Sequence, residues 1–305
     1  MLSQFYNTLK NTARWQISSS ILHGFVGALQ SAWGYAKDLD KSLNDIRIVT
    51  GYSSEKMAEF AEYANKAAKA LSTTTTAYTN ASLIYYQQGL SEKEILERTD
   101  ITIKMANVTG KSAEEVSDQL TAIWNNFDNG SKSLEYYVDV ITALGAATAS
   151  STDEISQGLE KFAAVAETVG LSYEYATAAL ATVTAETRQS ADVVGTAFKT
   201  LFARIQGLKL GETLDDGTTL NQYSKALSAV GIDIKNANDE LKDMDIILNE
   251  MGAKWDTLRK DEQVALAQSV AGIRQYNQLI SLMDNWDVFK DNLDTIATST
   301  GALQE

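Results

Sequence analysis

His23 is the one imidazole in the chain, and most routes to acid–base, nucleophilic or metal chemistry would have to pass through it. No G-x-S-x-G elbow offers it a serine, and no acid or nucleophile stands near it in sequence. Between Arg14 and Lys37 the chain carries no formal charge with His23 neutral, so a packed histidine accounts for it better than a catalytic one. Cysteine is absent, which removes disulfides, thiolate ligands and a cysteine nucleophile, and leaves zinc without a ligand set. Acid pairs occur at Glu114-Glu115 and Asp215-Asp216. A glycosidase needs two carboxylates fixed across a cleft, whereas adjacent acids on helices or loops are normally just solvated.

Two acidic turns invite comparison with calcium loops, which need glycine at the sixth position and oxygen ligands at the first, third and fifth. Counted from Asp215, Gly217 falls third; counted from Asp233, Lys235 and Ala237 occupy the third and fifth places. Both fail, and no glycine-rich phosphate loop is present. No catalytic, cofactor-binding or metal-ligating residue is assigned, no cofactor is expected, and an enzyme is not expected.

What must be positioned, then, is helix. The 305 residues contain no proline, where average usage of about 5% would give roughly 15. With abundant Ala, Leu, Lys, Glu and Gln, this indicates an all-α fold: a multi-helix hairpin or bundle array without a β-sheet. The 44% hydrophobic content suffices for one large or two modest cores. With 26 basic and 40 acidic residues the net charge is −14, and an acidic surface repels phosphate backbones, so nucleic-acid binding is not expected. The first basic residue is Lys10, with no apolar run and cleavage site behind it, so no signal peptide is read. The end, Thr300-Gly-Ala-Leu-Gln-Glu305, reads as a cut through ordinary sequence; the expectation is a piece of a longer protein, with Met1 compatible with an added start.

Residues 1–36 read as helix. Ser20, Gly24, Ala28, Ala32 and Ala36 recur every fourth residue as a ridge of small side chains beside a bulky face of Ile17, Ile21, Leu22, Phe25, Val26, Leu29 and Trp33. Such a ridge lets another helix approach closely, in water or in a membrane. The stretch 17–36 is long enough to span but is interrupted by Ser18, Ser19, Ser20, His23, Gln30 and Ser31. A packing helix and a membrane-active segment both stay open for it. A separate helix is expected over 37–49. Then a punctuation mark recurs: Gly51-Tyr-Ser53, Gly89-Leu-Ser91, Gly110-Lys-Ser112 and Gly170-Leu-Ser172. In each, glycine suits the residue closing one helix and serine the N-cap opening the next. Ser91 with Glu94, and Ser112 with Glu115, complete capping boxes. Thr152 and Ser190 are expected to open further helices. The marks are unevenly spaced, so this is not a strict repeat protein.

From Ser190 the apolar positions Val193, Val194, Ala197, Phe198, Leu201, Phe202, Ile205 and Leu208 share one helical face, with stops expected at Gly207 and Gly211. A polar loop over 211–219 is the expected flexible or partner-facing part. Helices are expected over 220–230, 244–258 and 262–283; over the fraying tail 286–305 the pattern weakens, with Trp286, Val288, Phe289, Leu293 and Ile296 able to continue a helix to about 298 and disorder expected beyond it. Arg204 and Arg274 are expected to tie the Ser190 helix to the last one. Gly195 and Gly272 are expected to mark a close crossing of the same two helices.

Five words in this region occur in a fixed order: Gly195-Thr-Ala-Phe-Lys-Thr-Leu-Phe-Ala-Arg-Ile205, Tyr223-Ser-Lys-Ala-Leu-Ser-Ala-Val-Gly-Ile232, Asn238-Asp-Glu-Leu-Lys-Asp-Met244, Met251-Gly-Ala-Lys-Trp-Asp-Thr-Leu258 and Val270-Ala-Gly-Ile-Arg-Gln-Tyr-Asn-Gln-Leu279. Together they resemble the central conserved region of phage tail tape measure proteins. That family usually has glycine after the asparagine that Asn238 matches; here Asp239 stands there, a residue that also tolerates a left-handed backbone. The resemblance implies a virion component, carried by a phage or prophage, that sits in the lumen of the tail tube after assembly in the host cytoplasm. It implies action in tail assembly, tail-length determination and genome delivery. Its implied partners are further copies of the chain in coiled-coil-like association, tail-tube and tail-tip or distal tail proteins, and tail assembly chaperones. The host membrane joins them if 17–36 is membrane-active. The chain divides on this reading into N-terminal long helices (1–70), a helical hairpin region (71–189), the conserved module (190–285) and a tail (286–305). Two other readings stay open: a membrane-active or channel-forming delivery segment, and an unrelated helical adaptor or scaffold.

Overall fold

Serine and threonine hydroxyls start most of these helices, and glycines at positive φ close many of them. The computed structural model describes residues 19–303, with side chains from residue 34 onward. Among the described residues there are fourteen α-helices and no strand. They are α1 (Ser19–Thr50), α2 (Ser54–Ala70), α3 (Thr75–Gln87), α4 (Glu92–Thr109), α5 (Ala113–Phe127), α6 (Leu134–Ala147) and α7 (Thr152–Thr168). Then follow α8 (Tyr173–Thr187), α9 (Ala191–Lys209), α10 (Leu220–Ser228), α11 (Met244–Lys254), α12 (Lys260–Ala271), α13 (Tyr276–Asp284) and α14 (Trp286–Ala297). A 3-10 turn, Trp255–Thr257, extends α11, and Lys235 and Leu241 form an isolated bridge. The fold is all-α, as the proline-free composition requires.

The four Gly-x-Ser corners form as the residue types dictate. Gly51, Gly89, Gly110 and Gly170 have φ of 67°, 73°, 70° and 83°, the left-handed region that ends a helix cheaply only at glycine. Ser53, Ser112 and Ser172 accept from the amides of Lys56, Glu115 and Tyr175, and both expected capping boxes, at Ser91 and Ser112, are made. One cap is shifted: Ser151, not Thr152, caps α7, boxed with Glu154. Each such cap is worth about 1 kcal/mol.

Other boundaries depart from the sequence pattern. The expected break near residue 37 does not occur, because α1 runs unbroken from Ser19 to Thr50 and no glycine or cap interrupts it at that point. The ridge of 20–36, its bulky neighbours 17–33 and His23 lie largely outside the described side chains. The expected helix over 262–283 is two helices, since Gly272 adopts φ 77° and ψ 163° and ends α12. Helix α9 passes through Gly207, a glycine that keeps helical φ, and stops before Gly211 at φ 82°. Helix α14 forms where the weakened pattern could continue one and ends at Ala297, and Leu303, in the stretch beyond 298 where disorder was expected, is buried.

The chain splits into two compact units, residues 1–95 and 96–305, with the division inside α4. In the first, α1 and α2 pack on α3. Ser42 Oγ donates to Thr79 Oγ1 at 2.8 Å, and Tyr86 meets Tyr52 and Phe60 edge-on at 6.0 and 5.7 Å. In the second, α8 is buried along nearly its whole length, from Tyr173 to Thr184. Its side chains are mostly Ala and Thr, small enough for α6, α7, α9, α13 and α14 all to reach it. Thr177 and Thr182 direct their hydroxyls to the carbonyls of Tyr173 (2.7 Å) and Ala178 (2.8 Å), so these buried donors are satisfied within the helix.

Candidate functional site

Helix α7 is the partner against which α9 is built, and the contact is made by glycines. A Cβ on Gly195 would lie 2.6 Å from the Gly158 carbonyl oxygen, and one on Gly158 would lie 2.6 Å from Leu180 Cδ2 of α8. Phe162 of α7 stacks edge-on to Phe198 of α9 at 5.4 Å and lies 5.9 Å from Phe202. The expected close crossing at Gly195 is therefore present, but its partner is Gly158 on α7. Gly272 belongs to a turn. Val193, expected on the inner face of α9, is half-exposed, and Gly195 takes the buried place instead.

Arg204 does not bridge to the last helix through an acid. It donates to Asp216 Oδ2 at 2.6 Å and to Thr218 Oγ1 at 2.8 Å, clamping the 211–219 loop onto α9. The loop is thus held, with Leu214 donating to the Thr218 carbonyl at 2.9 Å and Gly217 to the Leu214 carbonyl at 2.8 Å. Burial opposes ionisation of Asp216, but the hydroxyl and amide of Thr218 and the Arg204 guanidinium outweigh it and hold the carboxyl below its ordinary 3.8. A Cβ on Gly272 would lie 3.5 Å from Arg204 Nη1, so the first and fifth words do meet there. Arg274 is exposed.

The other words are joined in the same way. Lys254, of the fourth word, donates to the carbonyls of Val230 (3.0 Å) and Gly231 at the end of the second. Trp255 donates from Nε1 to Asp284 Oδ1 at 2.6 Å, while its carbonyl accepts from Gln263 Nε2 at 2.8 Å. Met244, ending the third word, donates its amide to the Val169 carbonyl at 3.0 Å, beside Lys209 Nζ at 3.2 Å. In the third word Asp239 takes φ 66°, the left-handed turn that glycine usually supplies. Every word that carries the resemblance is a cap, a turn or a packing contact.

The remaining candidate residues are dispersed. Glu115 is spent in the α5 capping box, where the Ser112 amide and hydroxyl lower its pKa, and Glu114 and Asp215 are exposed. Asp233 lines a shallow groove with Leu220, Asn221, Ser224, Ile234, Lys235 and Asn236, and Asp239 pairs with Lys235 at 2.8 Å. Among the described residues no three of His, Cys, Asp and Glu converge on a point that could hold a metal ion. No helix among them is long and apolar enough to cross a membrane.

Three features were not anticipated. Asp139, nearly buried on α6, accepts from the amides of Gly301 and Leu303, both at 2.8 Å, and so seats the C-terminal turn. Arg98 is only 8% exposed, lies 4.9 Å from the Trp124 ring, and among the described residues its Nε and Nη1 have no hydrogen-bond partner. An open cleft of about 480 Å³ lies between the α5–α6 and α7–α8 corners, lined by Phe127, Asp128, Lys132, Tyr136, Tyr137 and Glu174 among others. Tyr136 donates to Glu174 Oε1 at 2.6 Å and Tyr137 to the Phe127 carbonyl at 3.0 Å. Burial first, then the charges of Asp128 and Glu174, push the Tyr137 hydroxyl up to about 12. Asp139 had a signal in sequence, a lone acid inside the apolar run Tyr137-Val-Asp-Val-Ile141. Gly158, an isolated glycine within a capped helical stretch, had one too.

These contacts define an all-α chain in which the residues that carry the resemblance serve as caps, turns and packing contacts. Residues 65–272, more than half of the chain, match the family described as Phage-related minor tail protein, and the chain belongs to that family. Its role is accordingly that of a structural component of the phage tail. No solved structure matches the chain significantly.

Proposed function

We propose that this chain is the conserved helical module of a tail tape measure protein, acting in tail assembly and, after attachment, in genome delivery. The observation that carries the reading is the ordered set of five words between Gly195 and Leu279, together with the family match over 65–272. The folding supports an assembling or anchoring part rather than the ruler itself. A ruler gains length from uninterrupted helix at about 1.5 Å per residue. Here, among the described residues, no α-helix after α1 runs longer than the 19 residues of α9, and α8 is enclosed by its neighbours. The partners proposed are further copies of the chain, tail-tube and distal tail proteins, and tail assembly chaperones, with the lumen of the tail tube as its place in the virion.

The test is an in-frame deletion of 190–285 in the phage or prophage that encodes the chain, with tails imaged by electron microscopy. An assembling module predicts that normal tails fail to form. If the region were part of the ruler, tails would form and be shorter by roughly 140 Å, the length of that stretch as straight helix. Tails of unchanged length and full infectivity would overturn both readings.

A further inference from the structure

The loop between α5 and α6 carries Asp128-Asn-Gly130, and Asn129 is the one asparagine in the sequence followed by glycine. Both residues are exposed, and Gly130 has φ 77°. Their hydrogen bonds are those a reaction between them needs. The Gly130 N–H is donated to Asp128 Oδ1 at 2.9 Å, which places a carboxylate base on the proton of that nitrogen. The Ser131 N–H is donated to Asn129 Oδ1 at 3.0 Å, which places a donor on the oxygen where negative charge would develop during attack on the side-chain amide. Glycine leaves the nitrogen unshielded by a following side chain.

We propose that Asn129 is a self-modification site, converted by its own neighbours to aspartate and isoaspartate. The Gly130 nitrogen forms a bond to Asn129 Cγ and gives up its proton to Asp128. The Cγ–Nδ2 bond breaks, and Nδ2 leaves as ammonia with that proton. Water then adds to either carbonyl of the succinimide and reopens the ring. The net change is uptake of one water and loss of one ammonia, with no oxidant or cofactor. One opening leaves an aspartate; the other leaves an isoaspartate whose backbone is one methylene longer. Either adds a carboxylate to the rim of the aromatic cleft, whose charged lining is Asp128, Lys132, Glu167 and Glu174. The electrostatics of this cleft therefore change with the age of the molecule.

The experiment is incubation of the purified chain at mildly alkaline pH, with peptide mass mapping and enzymatic labelling of isoaspartate over time. Asn129 is expected to convert ahead of every other asparagine, and faster in the folded chain than in the same chain held in urea. Asp128→Asn is expected to slow the conversion several-fold at unchanged circular dichroism, and Gly130→Ala to suppress it. A folded chain that converts more slowly than the urea-denatured one overturns the proposal, because the loop would then protect the amide. That comparison uses only the unmodified sequence, so it stands even if a variant fails to fold. An Asp128→Asn variant that folds and converts at the parent rate overturns the role of the carboxylate.

Discussion

Gly195 of α9 rests on the backbone of Gly158 of α7, so close that a single added carbon would come within 2.6 Å of the Gly158 carbonyl oxygen. Backbone cannot rotate away as a side-chain tip can, so the two helices would have to separate. Overpacking of this kind costs about 1–3 kcal/mol, and more where the obstacle is main chain. Gly195→Ala is expected to lower the melting temperature by several degrees, and Gly195→Leu to prevent folding of the second unit. A melting temperature for Gly195→Ala equal to the parent's would show that the crossing has slack.

Gly272 gives a different expectation. It has room for a Cβ, the nearest atoms being 3.5 Å away on the flexible Arg204 side chain, but its φ of 77° and ψ of 163° suit glycine alone. Gly272→Ala and Gly272→Leu are expected to lose similar stability, about 1–3 kcal/mol, because the strain is in the backbone and not in the space. A loss that grows with side-chain size would contradict this, and chemical denaturation of the two variants side by side decides it.

Arg98 is the opposite case, a buried charge whose replacement is expected to help. Its guanidinium lies over Trp124, and among the described residues Nε and Nη1 find no hydrogen-bond partner, so its burial is a desolvation cost. Arg98→Met, which keeps the length and loses the charge, is expected to leave the melting temperature unchanged or raise it. A fall of several degrees would mean that the stacking on Trp124 outweighs desolvation.

Two pH dependences follow from the shifted groups. For Asp216 the folded value lies below the unfolded one, so the clamp's contribution is present above the ordinary carboxylate range and is lost as pH falls through the folded value. Hydrogen-exchange protection over 211–219, taken relative to the intrinsic rate at each pH, should fall at acid pH, and Asp216→Asn should show the low protection already at neutral pH. For Tyr137 the folded value is raised from 10.0 to about 12, so stability is intact below pH 10 and drains as pH climbs to about 12. Tyr136 and Tyr173, raised by burial in the same cluster, add to that loss. Phenolate absorbance followed with pH should therefore rise together with unfolding, rather than at the value of a free tyrosine.

What the sequence made legible was whatever is decided within a few residues. The Gly-x-Ser corners, the Ser112–Glu115 box and the apolar face of α9 are local patterns, and they appear almost as read. The left-handed turn at Asp239 was readable from the resemblance, which puts glycine there, together with the tolerance of aspartate for that backbone. What failed needed three dimensions. Gly195 announced that something approaches closely, but the partner read from sequence was Gly272, and folding puts Gly158 of α7 there instead. Arg204 found its acid twelve residues away in the next loop, where the sequence suggested a distant helix. Asp139 serves amides more than a hundred and sixty residues further on, and no periodicity reports such a pairing.

The seat that Asp139 provides for Gly301 and Leu303 has a mechanical consequence. Traction applied at Leu303 loads those two hydrogen bonds to Asp139 first, then the face of α14 on α8, where Asn292 donates to Thr182 at 2.9 Å. The resistances lie in series along the direction of pull, so they yield one after another and not all at once. The second unit should peel from its C-terminal side at low force, while the Gly158–Gly195 crossing stays unstrained until α14 has come away. In an optical trap this is a stepwise rip whose first step vanishes in Asp139→Ala.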